Sequence, residues 1–127
     1  MSTNTSLRIM VVDDNIDAAE TLSILLELNG HILETAHDGF DAVKLARAFK
    51  PQVGFLDIGM PGMDGYQTAA EIRRTPGLEN IVLIAITGWG AESDRLKDTD
   101  TGFNYHFTKP VQGEVITDFL TTLNIAN

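Results

Sequence analysis

Short apolar runs alternate with amphipathic stretches along the whole chain, and four of the runs stop abruptly on polar residues. Leu7–Val12 meets Asp13–Asp14, Val53–Leu56 ends at Asp57, Ile81–Ile86 ends at Thr87, and Tyr105–Phe107 leads to Thr108–Lys109–Pro110. Runs of this length bounded by turn residues read as buried strands. His31–Ala36 reads as a further, weaker strand, since His31 and Glu34 suit an edge. Ile81–Ile86 is the most apolar run and is expected at the sheet centre.

Between the strands lie helical patterns. Asn15 or Asp17 can cap a helix with the inner stripe Ala19, Leu22, Leu25 and Leu26, which stops near Gly30. Gly39–Phe49 places Ala42, Leu45, Ala46 and Phe49 inward and ends at Lys50–Pro51. After Val53–Asp57, the segment Ile58–Asp64 contains Gly59, Pro61 and Gly62, so it turns sharply before a helix over Tyr66–Arg74. Gly88–Thr101 predicts a helix with a thin packing stripe, Ala91 and Leu96 among charged neighbours. Asn104–Thr108 forms the last strand. Gln112–Leu123 carries Ile116, Phe119, Leu120 and Leu123 at helical spacing. Arg73–Arg74 reads as a solvated helix face. Strand–helix alternation with short connections predicts an α/β fold, a parallel sheet covered on both faces with right-handed crossovers.

Composition narrows the classes. The 127 residues suit a single domain, 1–127, with its core at about 7–123. A formal net charge of -9 argues against a nucleic-acid surface and against anionic lipid. Cysteine is absent, which excludes disulfides and thiolate metal sites. Met1–Ser6 lacks the basic and apolar regions of a signal peptide, and no apolar stretch approaches the roughly 20 residues that span a bilayer. A cytoplasmic protein is expected.

In a parallel sheet the carboxyl ends of these strands share one edge, where ligand sites form in open α/β sheets. Asp13, Asp14 and Asp57 then converge with Thr87 and Lys109. Clustered hard oxygens suit Mg²⁺, which keeps several waters and uses few carboxylates. Asp57, at a strand end, can serve as a carboxylate nucleophile forming an aspartyl phosphate, or it can merely cap a turn. A dianionic phosphoryl group can approach three carboxylates only where a divalent cation and an ammonium offset the charge. Thr87 can donate a hydrogen bond to the attached group. Pro110 after Lys109 is a turn signal, and a cis bond there would aim the lysine inward.

The ordered set Asp13–Asp14, Asp57 with Pro61 and Gly65 behind it, Thr87–Gly88, and Lys109–Pro110 resembles a two-component response-regulator receiver domain over Leu7–Leu123. The segments DIGMPGMDGY (57–66) and AITGWG (85–90) are most similar to receivers found with hybrid histidine kinases. The resemblance implies the flavodoxin-like strand order 2-1-3-4-5. It also implies Asp57 as phosphoacceptor, Asp13, Asp14 and the Gly59 carbonyl as Mg²⁺ ligands, and Thr87 and Lys109 as phosphoryl contacts. The family's switch position, usually tyrosine or phenylalanine, is His106 here. It can join Thr87 in a conformational switch or simply pack, half-buried, against a helix. Trp89 can shield the phosphoaspartate or belong to a partner surface.

Such a module would take its phosphoryl group from a sensor histidine kinase or histidine phosphotransfer protein. It would signal through a protein partner or a second copy of the chain, at a face made of Gly88–Thr101, the last strand and the last helix. An aspartyl phosphatase would need an acid two residues after the nucleophile, and Gly59 stands there. A flavin mononucleotide binder would need a hydroxyl-rich loop where Asp13–Asp14 stands. A phosphoacceptor rather than a turnover enzyme is expected.

Overall fold

Each apolar run forms a strand within one residue of its expected bounds. In the computed structural model, which describes residues 6–60, 62–88 and 102–123, the strands are β1 (Arg8–Val12), β2 (Ile32–Ala36), β3 (Val53–Asp57), β4 (Val82–Thr87) and β5 (Tyr105–Thr108). The helices are α1 (Ile16–Leu28), α2 (Gly39–Phe49), α3 (Gly65–Arg73) and α4 (Gly113–Thr122). All strands are parallel, in the order β2-β1-β3-β4-β5. The expected helix over Gly88–Thr101 falls almost wholly outside the described residues.

Alternation along the strands divides the core in two. Met10, Val12, Leu56, Leu83 and Ala85 pack with Ala42, Val43 and Ala46 of α2 and Ala69 and Ile72 of α3. Ile9, Val11, Phe55 and Ile84 point to the other face and meet Ala19 and Leu26 of α1 and Ile116 and Leu120 of α4. Among the described residues β2 pairs with β1 alone and is an edge, as its polar residues predict.

Helix starts follow capping chemistry. Asn15, not Asp17, caps α1 by accepting the Ala18 N–H. Asp38 caps α2 through the Asp41 N–H, and Asp64 with Gln67 forms a reciprocal capping box on α3.

Four expectations are corrected. β3, with every residue buried, holds the middle of the sheet in place of β4, whose Val82 and Ile86 are only half-buried. Hydropathy ranks what a strand could bury, and Gly54 and Asp57 lower that rank for the middle strand, while β4 lies one place off the middle, between β3 and β5. In α2 the inward stripe uses Val43, while Phe49 is half-buried with the Arg8 guanidinium 4.3 Å above its ring. On α3, capping by Asp64 starts the helix one residue earlier than the pattern suggests. Finally, Arg73 is not a solvated residue. Its guanidinium donates to the carbonyls of Gly102 (2.8 Å), Glu79 (3.1 Å) and Ile81 (2.9 Å) and to Asn104 Oδ1 (2.7 Å). Arg74 beside it is exposed and pairs with Glu71 at 2.7 Å.

Arg73 therefore ties the end of α3 to the entries of β4 and β5. Arg73→Ala, which strands several carbonyls, should lower the free energy of unfolding by about 2–3 kcal/mol in urea titrations. Arg74→Ala should change it by less than about 0.5 kcal/mol.

His31 accepts the Leu7 N–H at Nδ1 (3.1 Å), and burial pushes its proton affinity below that of an ordinary histidine. The unfolded chain then binds more protons in this range, so stability from this contact is complete above the usual histidine pKa and declines as pH falls below it. His31→Asn, which keeps an acceptor but cannot titrate, should flatten the decline measured between about pH 7 and about pH 5.5.

Candidate functional site

Parallel register brings the strand ends together: Val12 lies beside Leu56, Asp57 beside Ile86, and Thr87 beside Thr108. The residues that follow or close β1, β3, β4 and β5 thus share one edge. A cavity of about 580 Å³ opens there between Asp13, Asp14, Asp57, Thr87 and Lys109.

Asp57 is only 5% exposed. Its Oδ1 accepts the Gly59 N–H at 3.1 Å and faces Lys109 Nζ at 3.3 Å. The strand end is held from behind by α3, whose first residue must be small. A Cβ on Gly65 would lie 2.9 Å from Ile58 Cα and 3.1 Å from the Asp57 carbonyl oxygen. That close approach explains the glycine without reference to backbone freedom.

Asp13 is gripped at three points. Its N–H donates to the Ala36 carbonyl (3.1 Å), its carbonyl is 3.0 Å from His37 Nδ1, and its Oδ1 accepts the Asn15 N–H (2.9 Å). Asp14 is exposed. One carboxylate oxygen from each of Asp13, Asp14 and Asp57 lies within 4.8 Å of the others. Burial, and then the Asp57 charge, push the Asp13 carboxyl above the usual carboxylate range, although the Asn15 N–H and Lys109 pull it down. Crowded acids with one ammonium between them are what a divalent cation relieves, so the donor set fits Mg²⁺.

Thr87 is 2% exposed, and its carbonyl accepts the Lys109 N–H at 2.7 Å. The Lys109–Pro110 bond is cis. His106 lies opposite Ala85 in the ladder, on the sheet face shared by Thr87, and is half-buried. Tyr105 and Phe107 point the other way and meet the Phe119 ring edge-on at 4.8 and 5.3 Å. Pro61 and Trp89 lie outside the described residues. Sequence reading passed over His37 and the Asn15 backbone, because a contact with a main-chain group leaves no residue pattern.

The sequence pattern of the response regulator receiver domain matches residues 9–121. The chain belongs to this family. Among similar proteins, Protein PilH of Pseudomonas aeruginosa is 35% identical over 117 residues, covering 92% of this chain and 94% of that one. The receiver of the sensor histidine kinase PA1611 from the same species, solved with a magnesium ion in its active-site cleft, superposes with a TM-score of 0.81. It is 25% identical and covers 92% of this chain and 96% of that one. Chemotaxis protein CheY4 of Vibrio cholerae shares the fold, with a TM-score of 0.86 at 22% identity over 94% of this chain and 100% of that one. Among the described residues of this receiver, no helix is long and apolar enough to cross a membrane.

The packed carboxylates repel one another in the metal-free receiver. Asp13→Asn keeps an oxygen for the Asn15 N–H and removes one charge. It should raise metal-free stability by about 1 kcal/mol after allowance for solvent screening, while shrinking the rise in Tm that Mg²⁺ produces.

Proposed function

We propose that this receiver accepts a phosphoryl group on Asp57 from the phosphohistidine of a sensor histidine kinase or a histidine phosphotransfer protein. The observation that carries this reading is the buried Asp57 carboxylate at its strand end, 3.3 Å from the Lys109 ammonium and grouped with Asp13 and Asp14. A carboxylate oxygen of Asp57 attacks phosphorus, a P–O bond forms, the partner's P–N bond breaks, and its imidazole leaves. Asp13, Asp14, Asp57 and the Gly59 carbonyl are the groups that would hold Mg²⁺. Bound Mg²⁺ supplies the positive charge that lets anionic phosphoryl oxygens enter an acidic pocket.

Lys109 would supply a second positive charge beside Asp57, and the Thr87 hydroxyl would donate to the attached group. Gly59, two residues after Asp57, has no side chain to protonate a leaving group, which favours a stoichiometric acceptor over a turnover phosphatase. The likeness to a kinase-borne receiver that binds magnesium supports the same reading. A groove of about 1090 Å³ between α1 and α4 shares Asp13, Asn15 and Lys109 with the pocket, giving a donor helix an approach to it. The donors are charged from ATP, so the reading puts the protein in the cytoplasm. Thr87 turning toward the phosphoryl group, with His106 adjusting on the same face, would bias a two-state equilibrium that a protein partner or a second copy of the chain reads.

Acetyl phosphate with Mg²⁺ should add one phosphoryl mass that hydroxylamine removes. Asp57→Asn or EDTA should abolish labelling; full labelling in either case would overturn the proposal. Lys109→Ala should slow labelling by about tenfold or more. Thr87→Ala should still label but lose most phosphate-dependent NMR shift changes in β5.

A further inference from the structure

Asp13 and Asp14 precede the first turn of α1 in a short connection, and three points of support fix Asp13 there. Two are local or ladder contacts of a kind common after a parallel strand, the Asn15 N–H to Oδ1 and the Asp13 N–H to Ala36. The third comes from a side chain. His37, the first residue after β2, is half-buried and sets Nδ1 3.0 Å from the Asp13 carbonyl oxygen. A carbonyl can only accept, so Nδ1 carries the proton and donates. The carbonyl belongs to the peptide group that joins Asp13 to Asp14, so this bond acts on the peptide from which both carboxylate-bearing residues extend.

We propose that His37 is a positioning residue for the metal-binding acids: through the Asp13 carbonyl it holds the Asp13–Asp14 peptide at the angle that turns both carboxylates toward Asp57 and Mg²⁺. The inference rests on the reading of the site given above. Groups that orient ligands from behind commonly alter metal affinity by one or two orders of magnitude when removed. Here the effect passes through the main chain, and the Asn15 and Ala36 contacts remain, so the lower end of that range applies.

The test is Mg²⁺ affinity measured on the full chain by calorimetry or amide shifts, beside thermal melts of the same samples. His37→Ala should raise the Mg²⁺ Kd by about tenfold. His37→Asn puts an amide nitrogen where Nδ1 stands and should restore affinity to within about threefold. His37→Gln puts its nitrogen where Nε2 stands and should not. A role in fold stability alone would not separate Asn from Gln in metal affinity. Long-range ¹⁵N–¹H spectra of the unmodified protein should show a protonated Nδ1 on His37, a readout that stands even if the alanine variant melts early. Equal Mg²⁺ affinity for His37→Ala and the wild type, equal rescue by Gln and Asn, or a lone Nε2–H tautomer would each overturn the inference and leave the proposed function intact. Failure of the wild type itself to bind Mg²⁺ would overturn both.

Discussion

The parallel register of the sheet is the constraint on which the rest of this structure depends. Parallel pairing forces each strand to start afresh from the same end, so every exit from a strand lands on one edge. Asp13, Asp57, Thr87 and Lys109 are separated by as many as 96 residues, 109 minus 13 in the chain numbering, yet the register alone brings them to one edge, where Lys109 then reaches Asp57 and Thr87. What the register cannot do is make the meeting favourable. Three carboxylates share the space with the Lys109 ammonium, and burial, with the Asp57 charge adding to it, raises the proton affinity of Asp13. The fold thus carries a local charge excess that Lys109 only partly offsets, and that excess suits a divalent cation.

Holding such a site open takes support from elements that touch none of its chemistry. Gly65 lets α3 lie against the backbone behind Asp57. The end of β2 steadies Asp13 through Ala36 and His37. Neither element contributes a candidate ligand, and both pack against the backbone that carries candidate ligands. Repulsion among the acids would otherwise move them apart, since loops yield more readily than strands.

Much of this was legible in the chain. Strand existence, the edge position of β2, the α4 stripe and the convergence of the five polar residues all follow from periodicity and from where apolar runs stop. The features that escaped depend on partners distant in sequence. Arg73 looks like half of a solvated pair until the carbonyls of Glu79, Ile81 and Gly102 surround it. β4 looks like the middle strand because hydropathy reports composition, yet it lies one place off the middle, between β3 and β5. His37 looks like an incidental loop histidine, since the group it meets is a main-chain oxygen present at every residue.

The union of β4 with β5 has a mechanical consequence. At one end Asn104 receives the Leu83 N–H on its side chain and gives its own N–H to the Leu83 carbonyl, both at 2.8 Å, while Arg73 grips the same side-chain oxygen. At the other end the Lys109 N–H holds the Thr87 carbonyl. Hydrogen bonds at both ends oppose sliding or peeling of β5 from β4, so the two strands are braced as one ribbon that carries the face shared by Thr87 and His106.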